Sequence, residues 1–413
     1  MSELAIAGGT PVRSKGWPAW PALDESDVEA VTEVVRHGQV GGFPEPGPRA
    51  AEFAAGFAAY QGSRHAVVMA NGTVTMEVAL KALDIGWGDE VIVPALTFAA
   101  TPYACIAAGA LPVFVDVEPD RFTIDCDQLE AAIGPRTRAV MPVHLGQQMC
   151  DMDRIMQIAE RHGLRVVEDC AHAHGQRWRD QGAGCIGDFG SFSHQSTKIL
   201  TAGEGGTLTT QDDRLARRAH SLIDCGRPKD DAEQEYTFGS NYRLGELNCA
   251  LLVRGLDRFT AQQEQRADLG DHFESLLAEI PGVRVLRRDP RITRWSFYRY
   301  IFAIDNEVFV GASNEQVAEA LEAEGIGAEV QYPPMSRYDL FQPALSRLPV
   351  CVEHAERLDP SQMHFPVAEA AGEQQAVYLN EAVFRAGLDG VEDAAEAIAK
   401  VQRHADELVG VRA

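Results

Sequence analysis

Short apolar runs alternate with amphipathic stretches through the first half of the chain. HAVVMA (His65 to Ala70), EVIVP (Glu90 to Pro94), LPVFVDV (Leu111 to Val117), RAVMPVH (Arg138 to His144) and LRVVED (Leu164 to Asp169) are rich in valine. Each predicts a buried strand. Between them, Thr73 to Leu83, Pro102 to Ala108, Cys126 to Ile133 and Met152 to His162 predict helices, and GSFSH and GTLTT two more short strands. This βαβ rhythm predicts an α/β fold with a mainly parallel sheet covered on both faces.

Either side of that rhythm the pattern is helical. Ser26-x-x-Glu29 reads as a capping box, with Val28, Val31, Val34 and Val35 on one face and Gly38 as the stop. A second helix, Arg49 to Tyr60, places Phe53 and Phe57 at i, i+4. From about Asn241 the chain reads as a long helix, then strand Tyr298 to Ile304, helix Asn314 to Glu324 and a last helix from Val391. We therefore expect a large domain, residues 1–260, and a smaller C-terminal α+β domain, 261–413. Val91 to Val115 carries no charge and is long enough to span a bilayer. Pro94, Pro102 and Pro112 divide it into strand, helix and strand, so it reads as core.

Composition narrows the class. The formal net charge of −24, from 37 basic and 61 acidic side chains, repels nucleic acid and anionic membranes and excludes both as expected partners. The eight scattered cysteines form no CxxC pair, which predicts reduced thiols in a cytoplasmic protein. The N-terminus has no basic-then-apolar signal segment.

Candidate chemistry centres on GDFGSFSHQSTKILTAGEGG, Gly187 to Gly206. Lys198, one of five lysines, sits between a strand and a glycine-rich turn, where a closed site can hold an amine nucleophile. Other strand ends supply companions, because ligands gather at the carboxyl ends of α/β strands. Asn71-Gly72-Thr73 opens a helix and offers backbone N–H groups to a phosphate; a plain helix cap accounts for it equally. Phe98 can lie on a planar ring or pack in the core. Asp169 ends a buried run, which calls for a cationic partner such as a protonated pyridine nitrogen. Ser193 can add a hydroxyl to the same phosphate. His172 and His174 lack companions at a recurrent metal spacing, so no metal is expected. The set predicts a pyridoxal 5′-phosphate site.

NGTVTMEVAL, VIVPALTFAAT, VEDCAHAHG, GSFSHQSTKILTAGEGG and GSNYRLGELNCALL together resemble the DegT/StrS-type sugar aminotransferase family over nearly the whole chain. That resemblance implies the PLP-dependent fold type I architecture of aspartate aminotransferase and a homodimer with each site at the subunit interface. It implies Lys198 as the Schiff-base lysine, Asp169 on the pyridine nitrogen, Phe98 and Ala171 on the two ring faces, and Gly72, Thr73 and Ser193 on the phosphate. Asn241 is implied to reach the partner's cofactor phosphate. His172 stands where much of the family has glutamine, and Asn71 where many members have serine. AHAHGQRW, MPVHLGQQMCDMD, CGRPKDD and LTAGEGG are similar to the secondary-metabolite branch, with L-glutamine:scyllo-inosose-type cyclitol aminotransferases and 3-amino-5-hydroxybenzoate synthases, and VQYPPMSRYDLF resembles the cyclitol enzymes more than the synthases. The implied activity is amino transfer from L-glutamine or L-glutamate to a keto-cyclitol or keto-sugar. The alternatives are a PLP-dependent dehydratase/aromatase and a non-catalytic regulator on the same fold. Arg227, Arg243, His144, Tyr332 and Arg337 are candidate acceptor binders, for which structural roles are equally open.

Overall fold

The computed structural model describes residues 3–43, 45–228, 237–330 and 332–408; Lys229 lies outside them. Seven strands build the main sheet: β1 (His65–Met69), β2 (Glu90–Pro94), β3 (Leu111–Val115), β4 (Thr137–Val140), β5 (Arg165–Asp169), β6 (Phe189–Ser193) and β7 (Gly206–Thr210). Their order is β1-β7-β6-β5-β4-β2-β3. Only β7 runs against its neighbours. The valine runs are buried on both faces, as strands covered by helices must be.

The crossover helices are α3 (Gly72–Ala82), α4 (Ala100–Ala108), α5 (Cys126–Ala131) and α6 (Met152–His162), following α1 (Glu25–His37) and α2 (Pro48–Gln61). The uncharged stretch is strand, helix and strand, and no helix among the described residues is long and apolar enough to cross a membrane. Phe53 and Phe57 on α2 are fully buried, with ring centroids 5.5 Å apart.

The first helix differs from expectation. Its N-cap is Asp24, whose side chain accepts from the Ser26 N–H at 2.8 Å, and Asp27 completes the box by accepting from the Asp24 N–H at 2.8 Å. Val28 and Val35 are 55% and 60% exposed, whereas Asp27, Ala30 and Val34 are buried. A bidentate pair decides this face: Arg258 donates to both Asp27 oxygens at 3.0 Å. Periodicity alone favoured the valines because it does not see the arginine across the contact.

After α7 (Asp213–Ile223), the 32-residue α8 (Glu246–Leu277) runs through residue 260 and packs on α1 and α2. A four-stranded antiparallel sheet follows, of β8 (Val283–Val285), β9 (Arg299–Ile304), β10 (Ala328–Glu329) and β11 (Ala376–Asn380), in the order β8-β9-β11-β10. Helix α9 (Asn314–Ala323) packs on it, and α10 (Leu388–Arg403) packs on α8 and α9. Near the chain start, Arg13 pairs with Asp393 at 2.6 Å, so residues from both ends of the sequence meet.

Candidate active site

The carboxyl ends of the parallel strands open onto a cavity of about 750 Å³. Two close approaches shape one side. A Cβ on Gly72 would meet the Ser193 Cβ at 2.7 Å, and one on Gly206 would meet the Asn71 carbonyl at 2.4 Å. Glycine at both positions lets the end of β6 and the start of β7 press against the first turn of α3. Asn71 caps that helix by accepting from the Val74 N–H at 3.0 Å. Its N-terminal N–H groups, the Thr73 hydroxyl and the Ser193 hydroxyl thus border one end of the cavity.

β5 delivers two acids to opposite faces, because side chains alternate along a strand. Glu168 is fully buried. Its carboxylate accepts from the N–H groups of Gly184, Ile186 and Gly187 at 2.8–2.9 Å and from Nε2 of His144 at 3.1 Å. Nδ1 of His144 accepts from the Cys150 N–H at 3.1 Å. Both ring nitrogens are engaged, so His144 is a structural residue and not a free acceptor binder. Glu168→Gln places an amide N–H against a backbone donor, and should destabilise the fold by about 2–3 kcal/mol. Urea unfolding with an unchanged m-value checks this.

Asp169 faces the cavity. It accepts from the Thr101 hydroxyl at 2.8 Å and the Ala171 N–H at 3.1 Å. Thr97 in turn lies 2.9 Å from Thr101, oxygen to oxygen. Burial pushes the Asp169 carboxyl above its ordinary value; Thr101, the Ala171 N–H and nearby Lys198 hold the rise in check. Among the described residues it makes no ion pair, so a cationic ring nitrogen has a buried acceptor waiting.

Lys198 follows β6 on an irregular turn closed by its own N–H to the Gln195 carbonyl at 2.8 Å. Its Nζ lies 3.9 Å from the centroid of the Tyr298 ring. The ammonium is stripped of most of its hydration there, and the guanidinium of Arg299 adds to the penalty. The pKa falls to about 7, although Asp169 opposes the shift. Such an amine is partly unprotonated at neutral pH. The initial rate of reaction with an aldehyde reagent should therefore rise with pH and level off just above 7. An ordinary lysine would keep climbing towards 10.5. Initial rates of modification at Lys198, followed by peptide mass mapping, check the inflection.

Gly72, Thr73, Phe98, Asp169, Ala171, His172, Ser193 and Lys198 all border this one cavity. Phe98 is 59% exposed, an aromatic face open to the space rather than a core residue. Asn241 is exposed and bridges Asp224, away from the cavity of its own chain. Arg227 donates to Asp224 at 2.8 Å, Arg243 donates to the same carboxylate oxygen, and both guanidinium groups stack near Phe43. Arg337 pairs with Glu373 and does not border the cavity. Of the five candidate acceptor binders, His144 and Tyr332 border the cavity, and His144 has both ring nitrogens engaged elsewhere.

Some lining residues went unread in the sequence. Tyr298, just before β9, and Tyr338 come from beyond α8. The aromatic spacing in WSFYRY was a signal, but it reads equally as a buried strand. Thr97 and Thr101, at i, i+4 beside a strand end, were a fainter one. His174 packs among Phe57, Phe192, His194 and Phe259, consistent with a core role.

A profile of the DegT/DnrJ/EryC1/StrS aminotransferase family matches residues 21–384. The chain is similar to a Streptoalloteichus tenebrarius protein provisionally named an L-glutamine:3-amino-2,3-dideoxy-scyllo-inosose aminotransferase: 40% identity over 98% of this chain and 99% of the relative. It is 38% identical, over 98% and 99% of the two chains, to the L-glutamine:2-deoxy-scyllo-inosose aminotransferase of the same organism. Among solved structures, 3-amino-5-hydroxybenzoic acid synthase superposes with a TM-score of 0.82 at 32% identity, over 94% of this chain and 99% of that one.

Proposed function

The chain belongs to the DegT/DnrJ/EryC1/StrS aminotransferase family, and from that premise we propose that it is a pyridoxal 5′-phosphate enzyme of aminocyclitol biosynthesis. Its donor is L-glutamine or L-glutamate, and its acceptor a keto-cyclitol of the inosose type. The observation that carries this reading is Lys198 and Asp169 on the walls of one cavity, a lysine with a pKa of about 7 and a buried, ion-pair-free carboxylate.

The residues present fit the cofactor. Ser193, Thr73 and the N–H groups opening α3 would hold its phosphate. Phe98 and Ala171 would cover the ring, Asp169 would keep a proton on the ring nitrogen, and Lys198 would carry the carbonyl carbon. Bound there, the cofactor supplies an electron-withdrawing ring that stabilises negative charge at the donor's α-carbon. Lys198 as the neutral amine accepts the α-proton and returns it. Tyr298, Tyr332 and Leu145, all buried, give the site an apolar wall on that side.

The homodimer is part of the same proposal. Asn241 lies in a patch with Phe43, Arg227 and Arg243, and Phe238 is 99% exposed nearby in sequence. An apolar and cationic surface of this kind suits a second copy bearing a phosphate. A fully active monomer by light scattering would contradict it.

The deciding experiment is an absorbance spectrum of the protein with pyridoxal phosphate, before and after L-glutamine without acceptor. A visible band lost on adding glutamine supports amino transfer. Absence of any such band removes the proposal. 2-Deoxy-scyllo-inosose then tests the acceptor. The structural likeness to 3-amino-5-hydroxybenzoic acid synthase favours a second reading, dehydration and aromatisation of an aminocyclohexene substrate. Appearance of a keto acid from the donor separates the two, because dehydration makes none.

A further inference from the structure

His172 and Tyr332 meet at the cavity wall in an arrangement that assigns their hydrogens. The Gly146 N–H donates to Nδ1 of His172 at 3.2 Å, so Nδ1 is an acceptor and the ring proton sits on Nε2. Nε2 lies 3.2 Å from the Tyr332 hydroxyl oxygen. Burial beside Lys198 and Arg299 keeps the imidazole neutral, well below its usual pKa, so this is the single proton the ring carries. Nε2–H therefore donates to the Tyr332 oxygen.

A phenol that accepts in this way keeps its own O–H to give away. Tyr332 is only 7% exposed and borders the cavity. Its ring neighbours are Phe98 and His172, each at 6.1 Å, and Tyr378 at 5.7 Å between centroids, and among the described residues the Tyr378 hydroxyl has no partner. Among the described residues nothing accepts the Tyr332 hydrogen. A buried donor in a wall of rings is matched only by what enters the cavity.

We propose that Tyr332 is a ligand-binding residue that donates its hydroxyl hydrogen to an oxygen of the ring-bearing molecule in the cavity, and that His172 is the positioning residue that orients it. The accepting oxygen belongs either to the cofactor's ring or to the hydroxyl or carbonyl groups of the keto-cyclitol. This rests on the pyridoxal-phosphate reading above.

The test uses the full chain reconstituted with pyridoxal phosphate, as wild type, Tyr332→Phe, His172→Gln and His172→Leu. Wild type must first show the bound-cofactor band and its response to L-glutamine; failure there, seen before any variant is compared, sinks the parent reading and this inference with it. If the oxygen is the cofactor's, Tyr332→Phe moves the absorbance maximum or raises the apparent Kd for pyridoxal phosphate roughly tenfold. If it is the substrate's, Tyr332→Phe keeps the band and the glutamine half-reaction but raises KM for 2-deoxy-scyllo-inosose roughly tenfold, with a smaller change in kcat. Under both sources His172→Leu reproduces the Tyr332→Phe pattern. His172→Gln, which keeps a side-chain N–H, recovers most of the loss. Circular dichroism shows that each variant is folded; should Tyr332→Phe fail there, the two His172 variants carry the comparison. The proposal is overturned if Tyr332→Phe matches wild type within about twofold in cofactor Kd, spectrum and both half-reactions. It is overturned equally if His172→Leu and His172→Gln behave alike.

Discussion

Lys198→Ala is expected to leave a folded protein that still takes up pyridoxal phosphate and has lost amino transfer by roughly 10⁴-fold or more. The two roles proposed for Lys198 would disappear together: the covalent hold on the cofactor and the amine that moves the donor's α-proton. The remaining cavity is intact, because the Lys198 turn is tied down by backbone and hydroxyl contacts, such as Thr201 to the His194 carbonyl at 2.9 Å. The phosphate contacts proposed for Ser193, Thr73 and the start of α3 would not involve the lysine side chain. Equilibrium dialysis with pyridoxal phosphate and single-turnover assays with L-glutamine separate binding from chemistry. Added methylamine should restore a fraction of the proton transfer but not the covalent hold. Turnover by Lys198→Ala at the wild-type rate would take Lys198 out of the mechanism.

Asp169→Asn is expected to separate activity from stability. The amide keeps the shape and can still accept the Ala171 N–H, while its N–H₂ can donate to Thr101, which then donates to Thr97. What goes is the negative charge proposed to keep a ring nitrogen protonated, so the glutamine half-reaction should slow by on the order of 10²–10⁴-fold. Stability should move the other way in the cofactor-free protein. Burial raises the folded pKa of Asp169 above the ordinary carboxyl value of 3.8. For a carboxyl raised in this way, the ionised form costs stability above that pH range and nothing below both values. The amide has no such cost, so at pH 7 the cofactor-free variant should melt at or above the wild-type temperature, and the gap should narrow as pH falls towards 4. Thermal melts across that range check the sign. A variant that is both inactive and much less stable at pH 7 would mean that Asp169 is held by a cation in the free protein.

The comparison of Glu168 with Asp169 shows where reading the chain reached its limit. Both acids end the same buried run, and the run itself says that each needs a partner. Which acid turns to the cavity depends on the phase of the strand relative to its neighbours. Pairing of β5 with β4 and β6 fixed that phase. Arg227 and Arg243 make the same point in reverse: cationic residues suited to an acceptor, drawn off by Asp224.

By itself, the order of residues determined the α/β rhythm and the strand-end positions of Gly72, Phe98, Asp169, Ser193 and Lys198. These follow from local periodicity, and a parallel sheet then gathers its strand ends at one edge whatever else the chain does. Tertiary structure alone decided that Tyr298, Tyr332 and Tyr338 close the cavity, that Asp27 rather than Val28 faces α8, and which nitrogen of His172 carries its proton. Each of those outcomes is set by a contact between segments far apart in the chain, such as Gly146 with His172 or Lys198 with Tyr298. Hydrophobic periodicity reports which side of an element is buried, and it carries no record of the partner that buries it.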